Sequence, residues 1–163
     1  MLTLEGLITN QETQKHIDNV RRYLFKMISE LYLRGLDHDK SKLEEPELSI
    51  LGRFTPKLAK TTYGSEEYKE FLREMRPGLD HHYLKNRHHP EYFYPEVDHL
   101  DDGDEVSCMN LVDLIEMFCD WKAATMRHDD GDLNRSIEIN SKRFNLSDQL
   151  KNIFINTIKI LED

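Results

Sequence analysis

The sequence predicts an all-α fold, a bundle of about six to seven helices. Apolar residues recur every three or four positions over long stretches, which is the periodicity of a helix with one buried face. Residues that typically begin or end helices stand at the borders of those stretches. A chain of 163 residues is long enough to bury a core, and we predict a single domain over residues 1–163.

The first helix is predicted from Asn10, which can cap it, to about Arg34, with Gly35 as its C-terminal stop. His16 borders the apolar stripe near the start of this helix. The stripe consists of Ile17, Val20, Leu24, Met27, Ile28 and Leu31.

Shorter helices follow. Pro46 suits the first turn of an amphipathic segment that Pro56 ends or interrupts. Ser65 is a candidate cap for a helix that extends through Met75, and Pro77-Gly78 either breaks that helix or begins the next one.

The strongest helical pattern lies between Met109 and Met126, where apolar residues cover most of the circumference. We therefore expect this helix to be central and largely buried. Asp113, Glu116 and Asp120 fall along one stripe of it, and buried carboxylates are rare unless they are paired, hydrogen-bonded or metal-bound. The alternative is that this stripe is simply the solvated face of the helix.

The C-terminal part is predicted to contain a polar helix over residues 133–143 and a final amphipathic helix capped by Ser147. The two cysteines, Cys108 and Cys119, are predicted to lie in one helix, about 16 Å apart and beyond disulfide reach. We interpret them as reduced core thiols of a cytosolic protein.

The charge balance argues against general nucleic-acid binding, because 31 acidic and 22 basic residues give a net charge of −9. A small phosphorylated substrate remains compatible with it, since a bound cation can reverse the local field. No apolar run reaches the length of a membrane span. We therefore predict a cytoplasmic protein with no membrane partner and no nucleic-acid duplex partner.

Two stretches concentrate metal-binding residue types. His38-Asp39 follows the first helix and is itself followed by Lys42, while a second stretch holds four histidines between residues 81 and 89. If residues 79–87 are helical, His82 and Asn86 share a face, and Pro90 places His89 outside the helix.

Imidazole and carboxylate ligands together suit Zn, Mn and Fe. We predict a divalent metal, with Mn, Fe, Zn, Co and Mg as candidates and one or two ions. The candidate ligands are His16, His38, Asp39 and Asp113. Histidines at 82 and at 88 or 89 could hold a second ion, with Asp39 bridging the two; the set predicted here contains His82 and His89.

The order His16, His38-Asp39, Asp113 resembles the HD-domain superfamily of metal-dependent phosphohydrolases, in which a lysine often follows the His-Asp pair as Lys42 does here. Most of the chain also resembles small, largely phage and bacterial proteins of the DUF5662 type. The stretches that carry the second resemblance are His38–Lys42, His81-His82 with Asn86, His88–Glu91, Met109–Met117, Asp120–Ala124, Ser136 and Asn140–Phe144.

The HD resemblance implies an all-helical HD-like fold with the metal ligands at its centre. It also implies a phosphohydrolase that acts on a nucleotide or a related small phosphoester through a metal-activated water. Asp39 and Lys42 are the candidate catalytic residues. Lys42, Arg143 and Asn86 are the candidate substrate-binding residues.

Two alternatives remain open. Some proteins with the HD fold hold two irons through histidine and aspartate ligands and oxidise C–H bonds with dioxygen, and the additional histidines are compatible with that class. The other alternative is a non-enzymatic phage protein that binds a nucleotide or a host protein. A homo-oligomer is compatible with each of these hypotheses.

Overall fold

The computed structural model describes residues 3–58, 60–61, 65–96, 105–126 and 131–162, and within these ranges the chain is helical and contains no strand. The predicted all-α class is therefore confirmed, as is the predicted number of helices. The α-helices are α1 (Leu4–Asp37), α2 (Glu47–Leu58), α3 (Glu66–Glu74), α4 (Arg76–Lys85), α5 (Leu111–Thr125), α6 (Leu133–Arg143) and α7 (Asp148–Thr157). Short 3-10 helices cover Lys40–Leu43, Pro90–Glu96, Glu105–Cys108 and Ile158–Ile160.

The chain divides into two units, residues 1–37 and residues 38–163. The first contains α1, which begins before Asn10 and continues through Gly35 to Asp37. The predicted stop at Gly35 is wrong because a glycine inside a helix costs only about 1 kcal/mol relative to alanine. The helical path ends just before Asp39, whose backbone is left-handed, with a φ of 55°. Aspartate is one of the few residues that tolerate this conformation.

The second unit has an apolar core between α5, α6 and α7. The rings of Phe118 and Phe154 stack with their centroids 5.0 Å apart, and Trp121 meets Phe154 edge-on. Each of the three helices therefore buries one apolar face against the others, as the sequence periodicity predicts. The buried members of this core are Phe93, Met109, Met117, Phe118, Trp121, Leu133, Ile137, Phe144, Phe154 and Ile158.

The predicted helix caps at Ser65 and Ser147 are confirmed, whereas the predicted cap at Asn10 is wrong, since α1 begins at Leu4. Ser65 and Ser147 accept hydrogen bonds from the backbone of the first turns of α3 and α7. Pro77 lies in the first turn of α4, so that Pro77-Gly78 begins a helix. The prolines around α2 differ from the prediction, because Pro46 precedes the helix and Pro56 lies inside it.

Helices α2 and α4 approach each other closely at Gly78. A Cβ atom at this position would lie 3.0 Å from the Cγ2 atom of Ile50 in α2, tighter than ordinary van der Waals contact. The absence of a side chain at Gly78 thus permits the approach. This close approach of the two helices also brings the start of α2 beside the histidines of α4.

The two cysteines do not share a helix. Cys108 ends the 3-10 helix Glu105–Cys108, whereas Cys119 lies in α5, because Asn110 caps α5 and starts it at Leu111. Both are free thiols, but Cys119 is exposed and is therefore not the core residue that the sequence predicts. None of the described helices combines the length and the apolar character that a membrane crossing requires.

Candidate metal centre

Asp39 lies at the middle of a cluster of histidines in the second unit. Its Oδ1 atom is 3.4 Å from Nε2 of His82 and 3.6 Å from Nε2 of His88. Its Oδ2 atom is 3.5 Å from Nε2 of His38 and 2.5 Å from Nζ of Lys42. The left-handed turn at Asp39 allows two consecutive residues, His38 and Asp39, to turn their side chains to one centre.

The other histidines come from α4 and the turn after it. His82 is in α4, which ends at Lys85, and the chain then turns so that His88 and His89 face back. The Nε2 atoms of His82 and His89 are 2.9 Å apart. Asp39, His82, His88 and His89 each offer one ligand atom, and these atoms lie within 4.8 Å of one another.

A buried carboxylate orients His82 from behind. Glu47, at the start of α2 and 1% exposed, places Oε2 2.9 Å from Nδ1 of His82 and Oε1 2.7 Å from Nδ1 of His81. A carboxylate only accepts hydrogen bonds, so the contact with Glu47 favours the tautomer of His82 in which Nδ1 carries the proton. The lone pair of Nε2 then points to Asp39.

Glu116 of α5 plays the same part for two further histidines. Its Oε1 atom is 2.9 Å from Nδ1 of His38 and 3.1 Å from Nδ1 of His88. Both rings are thus held from behind, with their Nε2 atoms on the Asp39 side. Carboxylates that orient ligand histidines in this way are a regular feature of protein metal sites.

The donor set fits a divalent cation. Asp39 Oδ1 and His88 Nε2 are buried and have no hydrogen-bond partner among the described residues, which is costly for polar atoms. In a tetrahedral site with metal–ligand bonds of about 2.0–2.1 Å, neighbouring ligand atoms lie about 3.3 Å apart. Three of the six separations among the ligand atoms of Asp39, His82, His88 and His89 are 2.9, 3.4 and 3.6 Å, close to that value, and all six are within 4.8 Å.

Two smaller groups of donors adjoin this set. His38, Asp39 and Asp120 form one, in which Nε2 of His38 is 3.6 Å from Oδ1 of Asp120. His38, His88 and Glu116 form the other. Asp39 belongs to the four-residue group and to the group with Asp120, so its two oxygens face two neighbouring positions.

The electrostatics differ between the two sides of Asp39. Burial and the neighbouring His88, His82 and Lys42 lower the pKa of His89 to about 2. Burial, together with the charge of Lys42, also lowers the pKa of His82. Both rings are therefore neutral near pH 7, the form that binds metals.

On the other side, hydrogen bonding to Asp120 and Glu116 raises the pKa of His38 to about 10. Burial raises the pKa of the Asp39 carboxyl, but Lys42 and His38 outweigh it and the pKa is lowered overall. The pKa of Asp120 is lowered likewise, because His38 outweighs the effect of burial. A metal at this position would therefore replace a proton on His38.

The candidate substrate-binding residues occupy three different places. Lys42 is 33% exposed and contacts Asp39 at the centre. Asn86 is buried and donates from Nδ2 to Ser41 Oγ and to the backbone oxygen of His82, each at 2.8 Å, so it supports His82 from behind. Arg143 is at the end of α6 and contacts Glu91, with Nη2 and Oε1 2.5 Å apart.

The predicted ligands are only partly brought together. His38, Asp39, His82 and His89 meet as described, but the fully buried Asp113 does not belong to any of the three groups found in the described residues. Its carboxylate accepts hydrogen bonds from Arg87 and from the backbone nitrogen of Asn110, which places it in the cap of α5. The aspartate beside His38 is Asp120, two turns further along α5.

His16 lies in α1, in the unit of residues 1–37, and its role as a ligand stays a prediction. Four residues of the centre were not in the predicted ligand set: His88, Glu116, Asp120 and Glu47. The first three carried a signal, since His88 belongs to the dense histidine stretch, and Glu116 and Asp120 belong to the acidic stripe of α5. No pattern in the sequence singled out Glu47.

A fold that is helical over the described residues, with buried and half-buried histidines around one aspartate, defines a candidate metal-binding protein. The comparison with known families identifies it further: DUF5662, a family of unknown function, matches residues 7–160, and the chain belongs to this family. Neither the curated proteins nor the solved structures gave a match.

Proposed function

We propose that the protein is a metal-dependent phosphohydrolase that acts on a nucleotide or a related small phosphoester. The observation that carries this proposal is the position of Asp39, between the Nε2 atoms of His82 and His88 on one side and His38 and Lys42 on the other. Such a centre combines metal ligands with the ammonium group of Lys42, whose side chain is still partly exposed to solvent.

Asp39, His82, His88 and His89 would hold the first divalent ion, and His38, Asp39 and Asp120 a second one. A cation bound there would supply Lewis-acid activation of water and would offset negative charge on phosphoryl oxygens. Glu47 and Glu116 keep the histidines in the required tautomer.

The resemblance to the HD-domain superfamily supports the same function. The His38-Asp39 pair has an aspartate of the central helix beside it, as the resemblance implies, although that residue is Asp120 and not Asp113. The further histidines around Asp39 would take the place of the additional histidines of binuclear members. Membership of that superfamily is part of the proposal.

Lys42 would bind a phosphoryl oxygen of the substrate. Its ammonium group already neutralises Asp39, and a third of its side chain is open to solvent. A fixed positive charge next to the reacting phosphoryl group stabilises the charge that develops in the transition state. The expected partner is therefore a small phosphorylated molecule.

The test is elemental analysis of the purified protein, combined with hydrolysis assays in Mn, Co, Mg or Zn. The substrates are nucleoside monophosphates, nucleoside triphosphates and cyclic nucleotides. We expect bound metal and phosphate release, and we expect His38→Ala and Asp39→Ala to lower the metal content while the helical circular dichroism is kept. Unchanged metal content in both variants would refute the proposal.

One observation favours a second candidate, an oxygenase with two irons. Two donor groups share Asp39, so the centre has room for two adjacent ions. Oxygen consumption and an iron-dependent absorption band, with no phosphate release, would identify this class. Stoichiometric binding of a nucleotide that is recovered unchanged would instead indicate the non-enzymatic binder.

A further inference from the structure

A cavity of about 770 Å³ lies in the second unit, outside the donor groups of the metal centre. It is lined by residues of α3, α4, the 3-10 helix Pro90–Glu96 and the end of α6. Its volume is within the usual range for small-molecule sites, about 300–1,000 Å³. None of its lining residues belongs to the groups that could hold a metal.

The cavity and the centre share a wall. Tyr83 lines the cavity, and its ring centroid is 5.1 Å from that of His89 and 6.0 Å from that of His82. A molecule in the cavity would therefore lie one aromatic ring away from two candidate metal ligands.

Glu91 provides a reason to expect a ligand with a hydrogen-bond donor. It lines the cavity, is 7% exposed, and uses Oε1 to accept a hydrogen bond from Arg143. Its Oε2 atom is buried and lacks a hydrogen-bond partner in the part of the chain that the structure describes. An unsatisfied buried carboxylate oxygen is costly, and a rotation of the Glu91 side chain that turned Oε2 to the cavity would let an N–H group of a ligand remove that cost.

Arginines provide a place for an anion. Arg73, Arg76 and Arg143 line the cavity together with two carboxylates, Asp80 and Glu91, so three positive charges meet two negative ones, in a chain with a net charge of −9. Arg76 is 74% exposed and donates from Nε to Asp80, at 2.6 Å. A guanidinium has five N–H donors, so one such contact is compatible with bidentate binding of a phosphate.

The remaining surface suits a flat ring. Tyr94 and Leu84 are both more than half exposed and line the cavity together with Leu79. Aromatic and aliphatic side chains of this kind stack on heterocyclic rings, but stacking does not distinguish one base from another. Selection would then come from Glu91.

We propose that this cavity is a nucleotide-binding site, in which the base stacks on Tyr94, an N–H group of the base donates to Glu91 Oε2, and the phosphate contacts Arg76. The ligand class is a nucleoside monophosphate, because it combines a ring, an N–H donor and an anion. The site stands independently of hydrolysis, since none of its residues takes part in the donor groups.

The test is calorimetric titration of the metal-free protein, prepared with a chelator, with AMP, GMP, CMP and UMP, with the matching nucleosides, and with inorganic phosphate. We expect at least one monophosphate to bind about tenfold or more tightly than its nucleoside and than phosphate alone, since contacts to charged groups contribute about that much. Binding without metal separates this site from the metal centre.

The variants Arg76→Gln and Glu91→Gln should each weaken that binding about tenfold or more. Arg76→Gln should affect the monophosphate but not the nucleoside, whereas Glu91→Gln should affect both. Arg53→Gln is the matched control, because Arg53 is exposed, pairs with Glu74 and does not line the cavity.

Three outcomes would overturn the proposal: no binding of any monophosphate, equal binding of nucleotide and nucleoside, or affinities that neither variant changes. Arg76 is on the surface, so its variant keeps the test informative even if Glu91→Gln does not fold. If nucleotides bind but no phosphate is released in the presence of a divalent metal, the proposal of this site is supported and the proposed hydrolase is refuted. Hydrolysis with a KM that neither Arg76→Gln nor Glu91→Gln changes would instead support the hydrolase and refute this nucleotide site.

Discussion

The Oδ1 atom of Asp39 lies 3.6 Å from the Nε2 atom of His88, and both atoms are buried without a hydrogen-bond partner among the described residues. Glu116 contacts the other nitrogen of His88, Nδ1, at 3.1 Å, so Nε2 is the atom of this ring that faces the centre. Two buried polar atoms without partners are costly, and a cation bound between them would remove that cost. This relationship gives the most direct test of metal binding.

Replacement of His88 by alanine should remove metal. We expect His88→Ala to weaken the binding of Zn or Co by more than roughly 100-fold, since even the partners behind ligand histidines typically contribute about 10–100-fold. Competition with a chromophoric chelator measures the change.

The matched control is His81→Ala. His81 contacts Glu47 through Nδ1 but is not a member of any donor group identified in the described ranges, and its substitution should leave Glu47 bound to His82. Equal affinity for metal in the two alanine variants would contradict the assignment of His88.

Glu47 should tune the centre without binding metal itself. In Glu47→Gln the acceptor for Nδ1 of His82 loses its charge, and the ring is held less firmly in the tautomer that directs Nε2 to Asp39. We expect metal affinity to fall about 10–100-fold. The same chelator competition serves as the readout, with Glu44→Gln, at an exposed neighbouring position, as the control.

Lys42 should affect turnover more than metal content. Removal of its charge in Lys42→Gln takes away the proposed contact with the phosphoryl group, and we expect kcat to fall by about 10²–10³. Lys40→Gln, at an exposed position two residues away, should retain activity. Metal content comparable to the unchanged protein, together with unchanged kcat in Lys42→Gln, would rule out this role.

Asp113 is a metal ligand in the prediction from the sequence, whereas the structure places it in the cap of α5. Asp113→Asn should lower the free energy of unfolding by about 2 kcal/mol, because the carboxylate caps α5 and pairs with Arg87. Metal content should be retained. Urea titration measures the stability of the variant, and elemental analysis measures its metal content. A variant that is as stable as the unchanged protein but lacks metal would show that Asp113 is a ligand after all.

His16 is the predicted ligand that lies in the unit of residues 1–37. If it binds the second ion, His16→Ala should lower the metal stoichiometry by about one ion per chain, while the ion at His82, His88 and His89 is kept. A stoichiometry equal to that of the unchanged protein would remove His16 from the ligand set.

Local patterns in the sequence were sufficient to predict that the chain forms helices and roughly where they lie. The caps at Ser65 and Ser147 and the apolar faces of α5, α6 and α7 depend on neighbours within a turn or two, and these predictions are confirmed. The apolar stripe of α1, in contrast, contains no buried residue. Gly35 shows the limit of such signals, because the propensity of one residue is small against the continuation of a long helix.

The sequence by itself also determined which residue types are available for a metal: His38-Asp39, the histidines near His82, and an acidic stripe on α5. Only the tertiary structure decided which of them meet. Asp113, Glu116 and Asp120 share one stripe, but they lie at different heights along α5. The cap holds the first of them, while the packing of α5 against the turn after α4 brings the other two to His38 and His88. Distances across 78 residues of chain, such as that from His38 to Glu116, are a property of packing and have no periodic signature in the sequence.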